Sequence, residues 1–181
     1  GVQTCALPIC EWQTLMARDG HTFNAWIAAP PAQPRGAVVI LQEIFGVNEH
    51  LRQVTDQYAA EGYVAIAPAL YDRVGRNVTC GYSPEEPQRA RGYMLQVKRE
   101  DALRDITAAI NVVRHAGRVA LIGYCWGGLL AWLGARSLPV HAAVSYYASR
   151  IGENLDGAQS VPMLLHFGEH DTMIPLADRS E

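Results

Sequence analysis

The sequence predicts an α/β fold in one domain, a mostly parallel central sheet with flanking helices. Two observations predict it. Short apolar runs, such as residues 37–41 and 63–67, alternate with segments of helical spacing, and strands that alternate with helices build parallel sheets. Later, the apolar run 119–122 breaks at Gly123, passes through Cys125, Gly127 and Gly128, and enters a helical pattern with Leu129, Leu130 and Leu133. Strand, sharp turn and helix are the setting of a nucleophile elbow, Gly-x-Nuc-x-Gly, with a cysteine where a serine usually sits.

The elements follow in order. Residues 12–29 read as two short strands around the turn dipeptide Asp19-Gly20, with Phe23, Ala25 and Ile27 alternating against Thr22, Asn24 and Trp26. Pro30, Pro31 and Pro34 mark a loop. The continuous apolar, β-branched run 37–41 suits a central parallel strand and ends in Gln42-Glu43-Ile44-Phe45-Gly46. Asn48 caps a helix carrying Leu51, Val54 and Tyr58, which Gly62 closes. Residues 63–67 form another buried strand, ended by Pro68. After the loop from Tyr71-Asp72-Arg73 to Tyr82, Ser83 and Pro84 read as the cap and first position of a helix. A polar stretch runs to Asp101, and then Leu103, Ile106, Ile110 and Val113 share one helical face. Residues 119–122 are the strand before the elbow, 128–137 the helix after it, and 140–146 and 163–167 are strands. Gly168-Glu169-His170-Asp171 opens a loop after the last strand.

Composition narrows the function classes. The chain has 181 residues, 49% hydrophobic and 18% charged, with a net charge of −3. Without a basic block, nucleic acid is not an expected partner, and no apolar run approaches membrane-spanning length. The four cysteines, Cys5, Cys10, Cys80 and Cys125, have neither metal-ligand spacing nor a disulfide framework, so a reducing cytoplasm and no metal are expected. Ala6-Leu7-Pro8-Ile9 and Arg179-Ser180-Glu181 can be encoded by strings that are near reverse complements, resembling the end of a sequencing adapter. Residues 1–10 and 179–181 are therefore expected to be non-native, and the domain to run over 11–178.

In such sheets ligands bind beyond the carboxyl ends of the strands. Glu43, Arg73, Cys125 and Asp171 each follow a predicted strand, which brings four chemically competent residues to one edge. The elbow points Cys125 at a helix N-terminus, where backbone N–H groups favour a thiolate and a developing oxyanion. Taken singly, each residue also has an ordinary explanation. Cys125 is a buried inert thiol, Glu43 a strand-end carboxylate, Arg73 a solvated loop arginine with Arg76 as competitor, and Asp171 a turn residue. The Tyr146-Tyr147 pair at another strand end either edges the cleft or caps the core.

Four segments carry a resemblance: residues 41–48, Leu-Gln-Glu-Ile-Phe-Gly-Val-Asn; 69–73, Ala-Leu-Tyr-Asp-Arg; 123–128, Gly-Tyr-Cys-Trp-Gly-Gly; and 168–171, Gly-Glu-His-Asp. In order and spacing the chain resembles the dienelactone hydrolases (carboxymethylenebutenolidases), α/β-hydrolases with a cysteine nucleophile. The resemblance implies an α/β-hydrolase fold, cleavage of a small lactone or ester bearing a carboxylate, no cofactor, and a Cys-His-Asp triad. It implies Cys125 as nucleophile, Asp171 as triad acid, Glu43 as acceptor of the thiol proton, and Arg73 as binder of the substrate carboxylate. By the elbow rule the oxyanion falls to the backbone N–H groups of Trp126 and Ile44. The family's histidine follows that aspartate at a distance this chain does not reach. A fold cut short at its C-terminus and a fragment of little hydrolase activity are therefore expected, and His170 reads as a solvated or packing residue. Trp126 departs from the family, which often has a smaller aliphatic residue there. Two alternatives stay open: a general carboxylesterase, and a non-catalytic module in which Cys125 is a redox-sensitive thiol.

Overall fold

The computed structural model describes residues 8–174. Among them a seven-stranded sheet has the order β1-β2-β4-β3-β5-β6-β7. Strands β1 (Ile9–Met16) and β2 (Thr22–Ala29) form an antiparallel hairpin around Asp19-Gly20. Strand β2 runs antiparallel to β4 (Val64–Pro68), and β4, β3 (Ala37–Leu41), β5 (Val119–Tyr124), β6 (Ala142–Tyr146) and β7 (Met163–His166) are mutually parallel. The predicted parallel sheet with an antiparallel edge is the fold observed. The first strand starts earlier than its turn signal suggested, with Ile9 paired to Ala29.

Strand β3 is a continuous apolar run because both of its faces are covered. Val39, Leu41, Ile66 and Leu121 enter a core with α3 (Arg99–Val113) and α4 (Trp126–Ser137). Val38, Ile40, Ala65, Ala67 and Ile122 face the opposite way, onto α1 (Glu49–Ala60). The period-two alternation of a strand is thus split between two cores rather than between core and water. Each fully buried Ile or Leu here contributes roughly 1.5–3 kcal/mol of burial.

The helix ends follow local chemistry. Asn48 Oδ1 accepts the N–H of Leu51 at 3.0 Å and caps α1. The helix expected from Ser83 begins later: α2 spans Glu86–Met94, with Pro87 in its first turn. Ser83 Oγ instead donates to the Glu85 carboxylate at 2.7 Å, and Pro84 lies in a preceding turn. Both prolines tolerate a first-turn position, so the dipeptide alone could not choose between them. The buried face of α3 carries Ile106, Ile110 and Val113, as the spacing predicts, together with Ala102, Ala109 and Asp105, while Leu103 is only half-buried. Among the described residues no helix is long and apolar enough to cross a membrane.

Candidate active site

The site is built on the passage from β5 into α4. Cys125 sits between them with φ 53° and ψ −117°, a conformation that side chains other than glycine seldom adopt and that is retained where surrounding structure enforces it. Two glycines make the bend possible. A Cβ on Gly123 would overlap the carbonyl of Gly127, and a Cβ on Gly127 would overlap the carbonyl of Leu41. The Cys125 N–H donates to Tyr146 O at 3.0 Å, which ties the elbow to β6.

The loop after β3 is fastened on the other side. Gln42 is fully buried, and its Oε1 accepts the N–H of Leu70 at 3.1 Å. The buried Tyr71 hydroxyl donates to Ile44 O at 2.7 Å, and its ring stacks on Trp126 with centroids 5.7 Å apart. These contacts hold the peptide of Ile44 against the elbow. The backbone N–H groups of both Trp126 and Ile44 act on the Cys125 sulfur.

Their pull does not decide the resting state of the thiol. Burial raises the Cys125 pKa most, and the Glu43 charge adds to it; the two N–H groups and Arg91 act the other way. The net direction is upward, so Cys125 rests as a thiol. The helix terminus alone suggested a favoured thiolate; desolvation of the sulfur outweighs it.

The structure brings Glu43, Ile44, Trp126 and Cys125 together. It does not bring Arg73. The Arg73 guanidinium is forked onto Asp105, with Nη2 2.6 Å and Nε 2.9 Å from its oxygens, and Nη1 lies 2.7 Å from Asp19. The Arg73 side chain is 11% exposed and that of Asp105 fully buried. The reading of Arg73 as a substrate ligand is therefore corrected: a buried carboxylate on α3 takes its fork. Its competitor Arg76 is engaged too, by Asp72 at 3.1 Å and Thr22 at 2.7 Å.

A cavity of about 420 Å³ opens beside the sulfur, lined by Cys125, Ile44, Trp126, Leu129, Leu130 and Arg91 among others. Trp126 forms one of its walls. Arg91, on α2, acts electrostatically on Cys125, and among the described residues its guanidinium has no hydrogen-bond or ion-pair partner. Sequence reasoning missed it, because nothing in the polar stretch before Asp101 distinguishes one arginine from another. Tyr147 was one of two open candidates at its strand end; its hydroxyl donates to Glu43 Oε1 at 2.9 Å.

Asp171 lies in the loop after β7, on the same carboxyl edge of the sheet. Its Oδ1 accepts the N–H of Met173 at 2.8 Å. No histidine lines the cavity among the described residues, and His170 is exposed. Among the described residues no group of three His, Cys, Asp or Glu could hold a metal ion.

Comparison with known proteins places the chain in a family and matches its fold. A model of the dienelactone hydrolase family matches residues 23–181. The chain is 36% identical to the carboxymethylenebutenolidases of Pseudomonas putida and of Pseudomonas knackmussii, over 94% of its own length and 75% of theirs. A crystal structure of a Klebsiella pneumoniae protein assigned as a dienelactone hydrolase superposes with a TM-score of 0.81 at 28% identity, covering 96% of this chain and 78% of that one. A dienelactone hydrolase-like promiscuous phosphotriesterase from metagenomic libraries shares the fold, with a TM-score of 0.70 at 21% identity over 94% of this chain and 73% of that one.

Proposed function

The chain belongs to the dienelactone hydrolase family, and from that premise we propose that its hydrolase chemistry is thiol-based cleavage of a small lactone or ester bearing a carboxylate, with Cys125 as nucleophile. The observation that carries the reading is the convergence of two backbone N–H groups and one carboxylate on a single sulfur. The sulfur attacks the carbonyl carbon and its proton passes to Glu43. The carbonyl oxygen takes the negative charge and is held by the N–H groups of Trp126 and Ile44, donors fixed before the reaction begins. Collapse of this intermediate expels the alkoxide or enolate and leaves a thioester on Cys125. Water then cleaves the thioester and releases the acid. Asp171 is assigned the acid that orients a histidine base, following triad logic.

Arg91 takes the carboxylate-binding role first given to Arg73. A guanidinium at the cavity rim, without a partner among the described residues, suits a carboxylate, while Leu129, Leu130 and Trp126 accept the apolar part of the substrate. A reducing compartment, the cytoplasm, keeps such a nucleophile usable; Cys10, Cys80 and Cys125 are all free thiols.

Thiol alkylation read by mass spectrometry tests this without relying on turnover. Iodoacetate is expected to label Cys125 in preference to Cys10 and Cys80, with a rate that rises with pH to a midpoint above the ordinary thiol value, as burial dictates. Arg91→Ala is expected to slow iodoacetate about tenfold relative to the neutral iodoacetamide, about 1.4 kcal/mol of lost charge recognition. A Cys125 labelled no faster than Cys80 favours the redox-module alternative. An unchanged iodoacetate-to-iodoacetamide ratio removes carboxylate recognition and leaves the general carboxylesterase.

A further inference from the structure

Tyr147 follows β6 in a left-handed conformation, with φ 40°, rare for an aromatic residue. Its N–H donates to His166 O at 2.7 Å, which anchors the bend to β7. The turn carries its phenol across the sheet edge. In the sheet, β5 lies between β3 and β6, so a hydrogen bond from Tyr147 to Glu43 in the β3 loop spans the strand that delivers Cys125. The Tyr124 ring, at the end of β5, packs beneath it at 6.2 Å. Strained backbone at a rim of this kind persists where the arrangement is used.

We propose that Tyr147 is a positioning residue, whose phenol fixes the Glu43 carboxylate beside the Cys125 thiol. The proposal rests on the reading of Cys125 as the reactive thiol. Glu43 is the member of the site least constrained by backbone, since a carboxylate on a loop can rotate into water. An O–H···O bond of 2.9 Å to the carboxylate restrains that freedom. The donor is dependable: burial first, then the Glu43 charge, raises the Tyr147 pKa well above the usual phenol range, so the proton stays on the phenol at any working pH. Tyr82 reaches the same carboxylate from the loop before α2, but its ring is mostly exposed and its hydroxyl also accepts from Asn48 at 3.2 Å.

The groups acting on the sulfur are Glu43 from the β3 loop, Arg91 from α2, Tyr71 from the turn after β4, and Tyr147 itself. Those acting on Glu43 are Tyr82, Tyr124, Tyr147 and Cys125. Of these, only the Tyr147 contact is removed by Tyr147→Phe, which keeps the ring. Held in place, Glu43 raises the Cys125 midpoint; set loose, it does so less.

A double-mutant cycle on the iodoacetamide pH profile of Cys125 tests the proposal. Glu43→Gln is expected to lower the midpoint. Tyr147→Phe is expected to lower it in the same direction by about 0.5 pH unit, roughly threefold in rate at fixed pH. In the Glu43→Gln background, Tyr147→Phe is expected to do nothing further. Equal shifts in both backgrounds, no shift in either, or an upward shift would overturn positioning. So would a Tyr147→Phe protein that loses its folded circular dichroism signal, since only a hydroxyl has gone and the residue would then be structural. Failure of the thiol reading is a separate result, seen as poor labelling of Cys125 in the unmutated chain.

Discussion

Arg73→Ala is expected to destabilise the fold by about 3–5 kcal/mol, the cost of leaving a buried charge without its partner, and to leave the iodoacetate preference of the protein that still folds unchanged. The deserted group is Asp105, whose side chain is fully buried. Burial raises the Asp105 pKa, and the Arg73 fork offsets only part of that rise. The same guanidinium holds Asp19, at the turn of the β1–β2 hairpin, so one side chain ties the hairpin, the turn after β4 and α3 together. Chemical denaturation at neutral pH measures the loss. Arg73→Met combined with Asp105→Leu should recover most of it, because apolar residues can replace a buried ion pair at little cost. The pH dependence has a definite sign. Arg73 holds the Asp19 carboxyl down at about 2. A depressed carboxylate adds stability that is fully present above its unfolded value and is lost as pH falls through about 2. Arg73→Ala should flatten that acid limb. An Arg73→Ala protein with unchanged stability and a lost iodoacetate preference would return this residue to the substrate.

The difference between Arg73 and Arg91 marks what the sequence could and could not reveal. Strand β3 was legible because five consecutive apolar residues have no place on a half-solvated strand. The elbow was legible because its glycines answer a local steric demand that spacing alone displays. Glu43, Ile44 and Trp126 were legible because each lies next to one of those two landmarks. The destination of Arg73 was set by a contact 32 residues away in sequence. A sign of it was present: Asp105 falls in the buried stripe between Ala102 and Ala109, and a carboxylate in such a stripe requires a cationic partner. Arg91 left no comparable sign, and the strand-end position of Tyr147 did not decide between cleft and core. Arg91 lies on a helix, α2, that begins at Glu86, two residues beyond the expected start. Tyr147 reaches Glu43 only through a left-handed bend, which no turn residue announces.

Gly123→Ala carries the second large effect, an expected loss of about 3 kcal/mol, at the upper end of what overpacking costs. Gly123 is not a positive-φ position, so backbone freedom is not what alanine would forfeit. The obstacle is the carbonyl of Gly127, with the Gly128 nitrogen close behind it, and neither can withdraw without lifting α4 from β5. Lifting α4 would also take the Trp126 N–H from the sulfur and open the cavity to water. The variant is therefore expected to show two linked changes. Its thermal midpoint falls, and the Cys125 alkylation midpoint drops toward the ordinary thiol value as burial is lost, with the preference between iodoacetate and iodoacetamide erased. Gly20→Ala separates this from general weakening. Gly20 has φ 83° but open space where a Cβ would go, so alanine there costs roughly 1–2 kcal/mol in backbone strain and should leave the Cys125 profile alone. If Gly123→Ala instead kept both its thermal midpoint and its alkylation profile, the close approach of β5 and α4 would not be what shapes the nucleophile.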